Sequence, residues 1–324
     1  MTHKFTASIA TSLLLASTQL HADTVIASVK PLTLIASELL ADVAQVDTLL
    51  PDGASPHDFA LRPSDRKRLN NADLLIWVGP EIEPYLEQVI KASKVEHMAM
   101  LNVQAGHDEG EHDHEENHEE HKDHDHDKAH HKDHDDHESH ESHGHDEHEG
   151  HDHAGLHPWL DIEAVEHFTE ELSVELQQHF PKQASTIKEN EAAFLASLEQ
   201  FESKAKAQLE PVHENRFLVF HDAYDGFVNH FDLNQVGYFT VSPELKPGAK
   251  HLAELREKLE HSGVSCVFKE PQFRPALIDS ITRGFDVHVG ELDPLAGDVT
   301  LAQGAYVNFM QGLVDEFTEC LAKR

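Results

Sequence analysis

The stretch "KQASTIKENEAAFLASLEQFESKAKAQL", Lys182 to Leu209, contains neither proline nor glycine and decides how the rest of the chain is read. Ala184, Ile187, Phe194, Leu195, Leu198, Phe201 and Ala205 recur at helical spacings, which predicts one helix of roughly 40 Å at 1.5 Å per residue. Glu191 interrupts that apolar stripe for a turn. Pro181 stands where a first helical position tolerates proline, and Pro211 stops the run. A helix of this length without a breaker is a strut between two bodies rather than a flexible linker.

On its N-terminal side, short β-branched runs alternate with helical text: "TVIASV", a helical stretch after Pro31, "AQVDTLL", "PSDRKRLNNA" and "DLLIWVG". The same rhythm returns beyond Pro211 in "RFLVFH", "QVGYFTV", "VSCVFKE" and "FDVHVG". Strands alternating with helical segments predict parallel sheets with helical crossovers. The expected fold class is therefore α/β, two α/β lobes joined by a long rigid helix, with a ligand site in the inter-lobe cleft. The lobes are expected over 23–180 and 211–324, with the connecting helix over 181–210.

Residues 1–22 read as a secretory signal: His3 and Lys4 precede an apolar run through Ile9, Ala10, Leu13, Leu14 and Leu15, with cleavage near Ala22. The run falls short of the ~20 apolar residues a membrane span needs, and no later segment reaches that length. In an exported chain the two cysteines, Cys266 and Cys320, form one disulfide, with two buried free thiols as the alternative.

From His107 to His153 the composition changes completely. This tract holds 17 of the 30 histidines, 20 acidic residues and 3 lysines. It has too few apolar residues to offset the cost of ordering its backbone, so residues 106–154 are expected to be a disordered loop of the first lobe. Acidity alone would make a solvated loop; the histidines call for another reason. Neutral imidazoles interleaved with carboxylates bind zinc, copper or nickel in several exchanging sites. The auxiliary ligands are His112, His114, His118, His121, His124, His126, His130, His131, His134, His137, His140, His143, His145, His148, His151 and His153. The "HEENH" at 114–118 matches a zinc-protease pattern, but no apolar face exists there to hold the helix such chemistry needs.

The chain carries a formal charge of −35, of which the tract supplies −17. Nucleic acid and anionic membranes are excluded as partners, and cations are the natural ligands. No phosphate-binding glycine loop and no serine or cysteine nucleophile motif is present.

Outside the tract three histidines stand at strand ends or in ordered loops: His57 in "LLPDGASPHDFALRPSD", His157 in "GLHPWLD" and His221 at the close of "RFLVFH". Strand ends facing a cleft are where α/β proteins collect ligands. Spacing alone does not join the three into a site.

The segments "LLPDGASPHDFALRPSD", "ADLLIWVGPEIEPYLE", "HPWLD", "FHDAYDGFVNHF", "EPQFRP" and "LDPLAGD" together resemble the periplasmic zinc-binding proteins of ABC importers, within the metal-binding cluster of solute-binding proteins. The resemblance runs from Asp23 to the C-terminus. It implies His57, His157 and His221 as ligands of Zn(II), and a fourth position held by Asp293, a water or a tract histidine. Some zinc-binding members carry an acidic residue just before the first histidine, where this chain has Pro56. The resemblance further implies a monomer that docks on a membrane permease powered by a cytoplasmic ATPase, with the tract as zinc scavenger or sensor. An exported zinc buffer or metallochaperone shares the same ligand arguments. A zinc hydrolase would need a general base and a substrate pocket, and the sequence identifies neither.

Overall fold

A computed structural model of the chain describes residues 24–105, 156–241, 245, 247–272 and 276–323. The signal segment and all the tract histidines lie outside the described residues.

The first half builds β1 (Val25–Ala27), α1 (Lys30–Leu39), β2 (Val46–Thr48), α2 (Pro63–Asn70), β3 (Leu74–Trp77), α3 (Pro84–Ala92), β4 (Glu96–Ala99) and α4 (Met100–Ala105). Its four strands lie in the order β2-β1-β3-β4 and all pair in parallel. Beyond the connecting helices, the second half repeats the plan with β5 (Arg216–His221), α7 (Asp225–His230), β6 (Gln235–Thr240), α8 (Ala249–His261), β7 (Val264–Lys269), α9 (Ala276–Thr282) and β8 (His288–Glu291). The order is β6-β5-β7-β8, again all parallel. In both sheets the chain reverses its direction of winding between the first and third strands, and the carboxyl ends of those strands face the crevice where such folds bind ligands.

The strands read as near-continuous apolar runs because both faces are covered. Alternate side chains go to different cores: Val25, Ala27, Leu74 and Ile76 point into one cluster, while Ile26, Leu75 and Trp77 point into another on the outer face. The second sheet divides in the same way, with Phe217, Val219 and Phe268 inward and Leu218, Phe220 and Val267 outward. The two inward sets belong to one continuous core.

That continuity comes from three helices: α5 (Ile162–His179), α6 (Ala184–Leu209) and α10 (Ala305–Ala322). The opening stretch forms α6, which buries Ile187, Phe194, Leu198, Phe201, Ala205 and Leu209. It is not a free-standing spacer, because it packs on α5, α10 and α1. Glu191 interrupts the stripe because its Oε2 accepts from the buried Ser173 on α5 at 2.5 Å. Two polar ties bind the helices across the halves. Asn190 on α6 donates to Leu39 O and Ala41 O at the end of α1, and the buried Glu38 carboxyl on α1 stands at the N–H groups of Gly304, Ala305 and Tyr306 that open α10. A disulfide joins Cys266 on β7 to Cys320 on α10, which excludes the free-thiol alternative. No helix among the described residues is long and apolar enough to cross a membrane.

Candidate metal centre

The loop between β2 and α2 carries His57. Its backbone N–H donates to Ser55 Oγ at 3.2 Å, and Gly53 turns the chain at φ +76°. Two residues on, Phe59 meets the ring of Tyr85 at 5.8 Å, and Tyr85 donates to Glu83 Oε1 at 3.1 Å. Glu83 in turn accepts from Ser28 Oγ and Val78 N, each at 2.8 Å, just beyond β1 and β3. The His57 loop is thus moored on the ligand-facing edge of the first sheet. Burial raises the Glu83 carboxyl to about 7, against the pull of those three donors.

His157 directly precedes a 3-10 turn, Pro158–Leu160, and stands edge-on to Trp159 at 5.2 Å. Trp159 Nε1 donates to Pro294 O at 2.7 Å, and its own carbonyl accepts from Tyr306 Oη at 2.8 Å. His221 is the last residue of β5. The adjacent strand β7 ends one residue before Glu270, so strand pairing sets the two side chains together. Both are buried, and His221 Nδ1 lies 3.2 Å from each Glu270 oxygen. Burial, with the carboxylates of Glu270 and Asp293 nearby, keeps the Tyr224 phenol protonated.

Three sequence-predicted residues therefore meet. Nε2 of His157 lies 3.2 Å from Nε2 of His57 and 3.2 Å from Nε2 of His221, and ligand atoms of all three lie within 4.8 Å of one another. Nitrogens 3.2 Å apart, each at about 2.0–2.1 Å from one cation, subtend an angle of about 99–106°, close to the tetrahedral geometry zinc prefers. Burial, then the neighbouring His221 and His57, push the His157 pKa well below its ordinary 6.5. The imidazole stays neutral with a lone pair to give. Glu270 holds the proton on Nδ1 of His221, which turns its Nε2 into a donor to metal.

Asp293 does not join this group. Its Oδ1 accepts from Leu295 N at 3.0 Å and Gln272 Nε2 at 2.5 Å, and its Oδ2 accepts from Gly297 N at 2.5 Å. The carboxylate shapes a turn, and a Cβ at Gly297 would stand 2.9 Å from Oδ2, so a larger residue there would displace the carboxylate. From the first half, Lys30 Nζ donates to Gly297 O at 2.6 Å. The sequence reading also missed Glu270 and Gln272, although both lie in the quoted "EPQFRP", immediately after a predicted strand beside the one that ends at His221.

Comparison with known proteins accords with this geometry. A model of the family "ZnuA: Zinc-uptake complex component A periplasmic" matches residues 25–320. The chain is 43% identical to the high-affinity zinc uptake system protein ZnuA of Haemophilus influenzae, with 97% of each chain covered. It is 38% identical to the protein of the same name from Yersinia pestis, covering 97% of this chain and 96% of that one. Among solved structures, it resembles the periplasmic zinc binding protein TroA of Treponema pallidum at 16% identity and a TM-score of 0.72, covering 93% of this chain and 99% of that one. A ZnuA crystal structure matches at 20% identity and a TM-score of 0.69, with 93% and 99% covered. Two parallel-sheet lobes around a histidine triad, matched along nearly the whole chain by such relatives, make this protein a member of the ZnuA family of periplasmic zinc-uptake components.

Proposed function

We propose that the protein captures Zn(II) with His57, His157 and His221 between its two lobes and delivers it to the membrane permease of an ABC importer, driven by a cytoplasmic ATPase, for high-affinity zinc uptake. The convergence of three buried or half-buried Nε2 atoms from three separate chain regions carries this reading. It makes the protein a transport component rather than an enzyme. Export through the signal of residues 1–22 would place the mature, monomeric chain in the periplasm. The lobes are assigned to 23–180 and 211–324, with 181–210 as the connecting segment. The tract raises the concentration of zinc beside the cleft, because a tethered weak binder feeds its neighbour at high effective concentration.

Calorimetric zinc titration tests the assignment on the mature protein, on a deletion of residues 106–154, and on that deletion carrying His57→Ala, His157→Ala and His221→Ala. One tight site is expected to survive the deletion and vanish in the triple variant. Loss of tight binding with the tract alone would overturn the cleft site and favour a zinc buffer. Uptake across a zinc series then separates the tract's roles. Scavenging predicts a deficit in the deletion only at scarce zinc, whereas sensing predicts excess uptake at plentiful zinc.

A further inference from the structure

Gln272 lines the same pocket as His57, His157 and His221, and its side chain is half used. Nε2 donates to Asp293 Oδ1 at 2.5 Å. A carboxylate whose two oxygens each accept a backbone N–H of its own turn presents only acceptor sites to Gln272, so the amide cannot be reversed. Oε1 is thereby committed to the other side, where it is buried and accepts no hydrogen bond from the described residues. An unsatisfied buried carbonyl is costly, and one in the wall of a metal pocket points to a cation or to the water that a cation holds.

The other side-chain oxygens around the pocket are engaged, beginning with Ser55 Oγ, which accepts from His57 N. Glu270 faces His221 with both of its oxygens, and both Asp293 oxygens are engaged in its turn. Pro56, Pro294 and Leu295 add no side-chain donor to the wall. We propose that Gln272 Oε1 completes the zinc site by accepting a hydrogen bond from the water in the cation's fourth position. This rests on the three-histidine reading and extends it: the site has three nitrogens and a water steered by a neutral amide, not a fourth protein carboxylate. Such a position exchanges without breaking a bond between protein and metal, which suits cargo that must leave again. The water also requires no deprotonation of Gln272, so this position adds no proton competition to that of the histidines.

The test compares wild type, Gln272→Met and Gln272→Glu in the full mature chain, with His157→Ala as control. Zinc affinity is measured by competition with a chelator, and the visible absorption of the first equivalent of cobalt(II) reports on the ligands around the metal. Gln272→Met is expected to weaken zinc about tenfold and to change the cobalt bands. Gln272→Glu puts an anionic oxygen in the same place and is expected to bind zinc more tightly at pH ~7.5, a pH above the ordinary carboxyl range, with its own altered spectrum. Unchanged cobalt bands in both variants overturn the proposal, even if affinity falls, because the residue would then act only by supporting the Asp293 turn. If wild type and His157→Ala bind alike, the three-histidine reading fails instead, and the two failures are told apart.

Discussion

Glu270→Gln replaces a carboxylate with an amide of nearly the same shape against His221, and tests whether that carboxylate sets the ligand's tautomer. Both Glu270 oxygens lie 3.2 Å from Nδ1, and the two side chains are only 3% and 2% exposed, so no water competes for the contact. The carboxylate keeps the proton on Nδ1 and leaves the Nε2 lone pair free, 3.2 Å from Nε2 of His157. An amide can present its NH2 group instead. The proton then moves to Nε2, which can no longer bind metal. If the amide oxygen faces the ring, the tautomer survives, but a charge-assisted bond becomes a neutral one of roughly half the strength. Loss of such an outer partner costs about 10–100-fold in metal affinity. At 1.4 kcal/mol per decade this is about 1.4–2.8 kcal/mol. Zinc affinity is read by chelator competition, and the melting temperature of the metal-free variant confirms that it folds. A folded Glu270→Gln protein with affinity within about twofold of wild type, well short of the range expected for an outer partner, would refute the tautomer argument.

Four further outcomes follow from the same geometry. Because the folded pKa of His157 lies well below 6.5, the unfolded chain takes up a proton that the folded chain refuses as pH falls through 6.5. Metal-free stability should therefore drop by up to about 1.4 kcal/mol per pH unit below that point, and His157→Asn should flatten the slope in urea titrations from pH 7.5 to 5. Glu83 has the opposite sign: its carboxyl is raised from 4.5 to about 7, so stability is lost as pH rises across that window, by on the order of 3 kcal/mol. Glu83→Gln should remove this loss and exceed wild type in urea midpoint at pH 8 while matching it near pH 4.5. Cys266 and Cys320 close a loop with a sequence separation of 54, so Cys266→Ser/Cys320→Ser should lower unfolding free energy by ~4 kcal/mol, and added reductant should do the same to wild type. Leu198→Ala, deep in the core face of α6, should cost about 2–5 kcal/mol in the same assay.

The sheets were legible because parallel strands covered on both faces are nearly all apolar: "LLIW" is buried at all four positions, and "RFLVFH" at all but Arg216. α6 was legible from its stripe and its flanking prolines. α5 was left unread, although Ile162, Val165, Phe168, Leu172 and Leu176 recur there at helical spacings. Among the proposed metal ligands, each histidine could be picked out by its place at a strand end or in an ordered loop, but nothing local could show that His57 and His157, separated by 100 positions, touch. Only the resemblance joined them. The sequence left Asp293 open between a fourth ligand and a turn residue for a physical reason: "DPLAG" is both an acidic ligand motif and the sequence of a carboxylate-capped turn, and backbone N–H groups two and four residues on donate to its oxygens. Glu270 and Gln272 act through strand adjacency, which a linear reading does not display.

The same contacts bear on how the cleft can let its cargo go. Behind the site, the two sheets share one core through α6, and separating the lobes would expose several side chains that each gain about 1.5–3 kcal/mol from burial. At the front, the loop that carries Pro294 and Gly297 is tied to the first half by the Trp159 and Lys30 hydrogen bonds, each worth roughly 0.5–3 kcal/mol net. Between these residues, Leu295 adds a half-buried side chain packed on that core and Ala296 a small buried one. Moving this loop is therefore the less costly way to open the pocket. Such a movement breaks both ties, freeing Trp159 and with it the edge-on support of His157. Since Gln272 is bonded to the Asp293 that shapes this turn, the same movement disturbs the fourth side of the site while α6 stays packed.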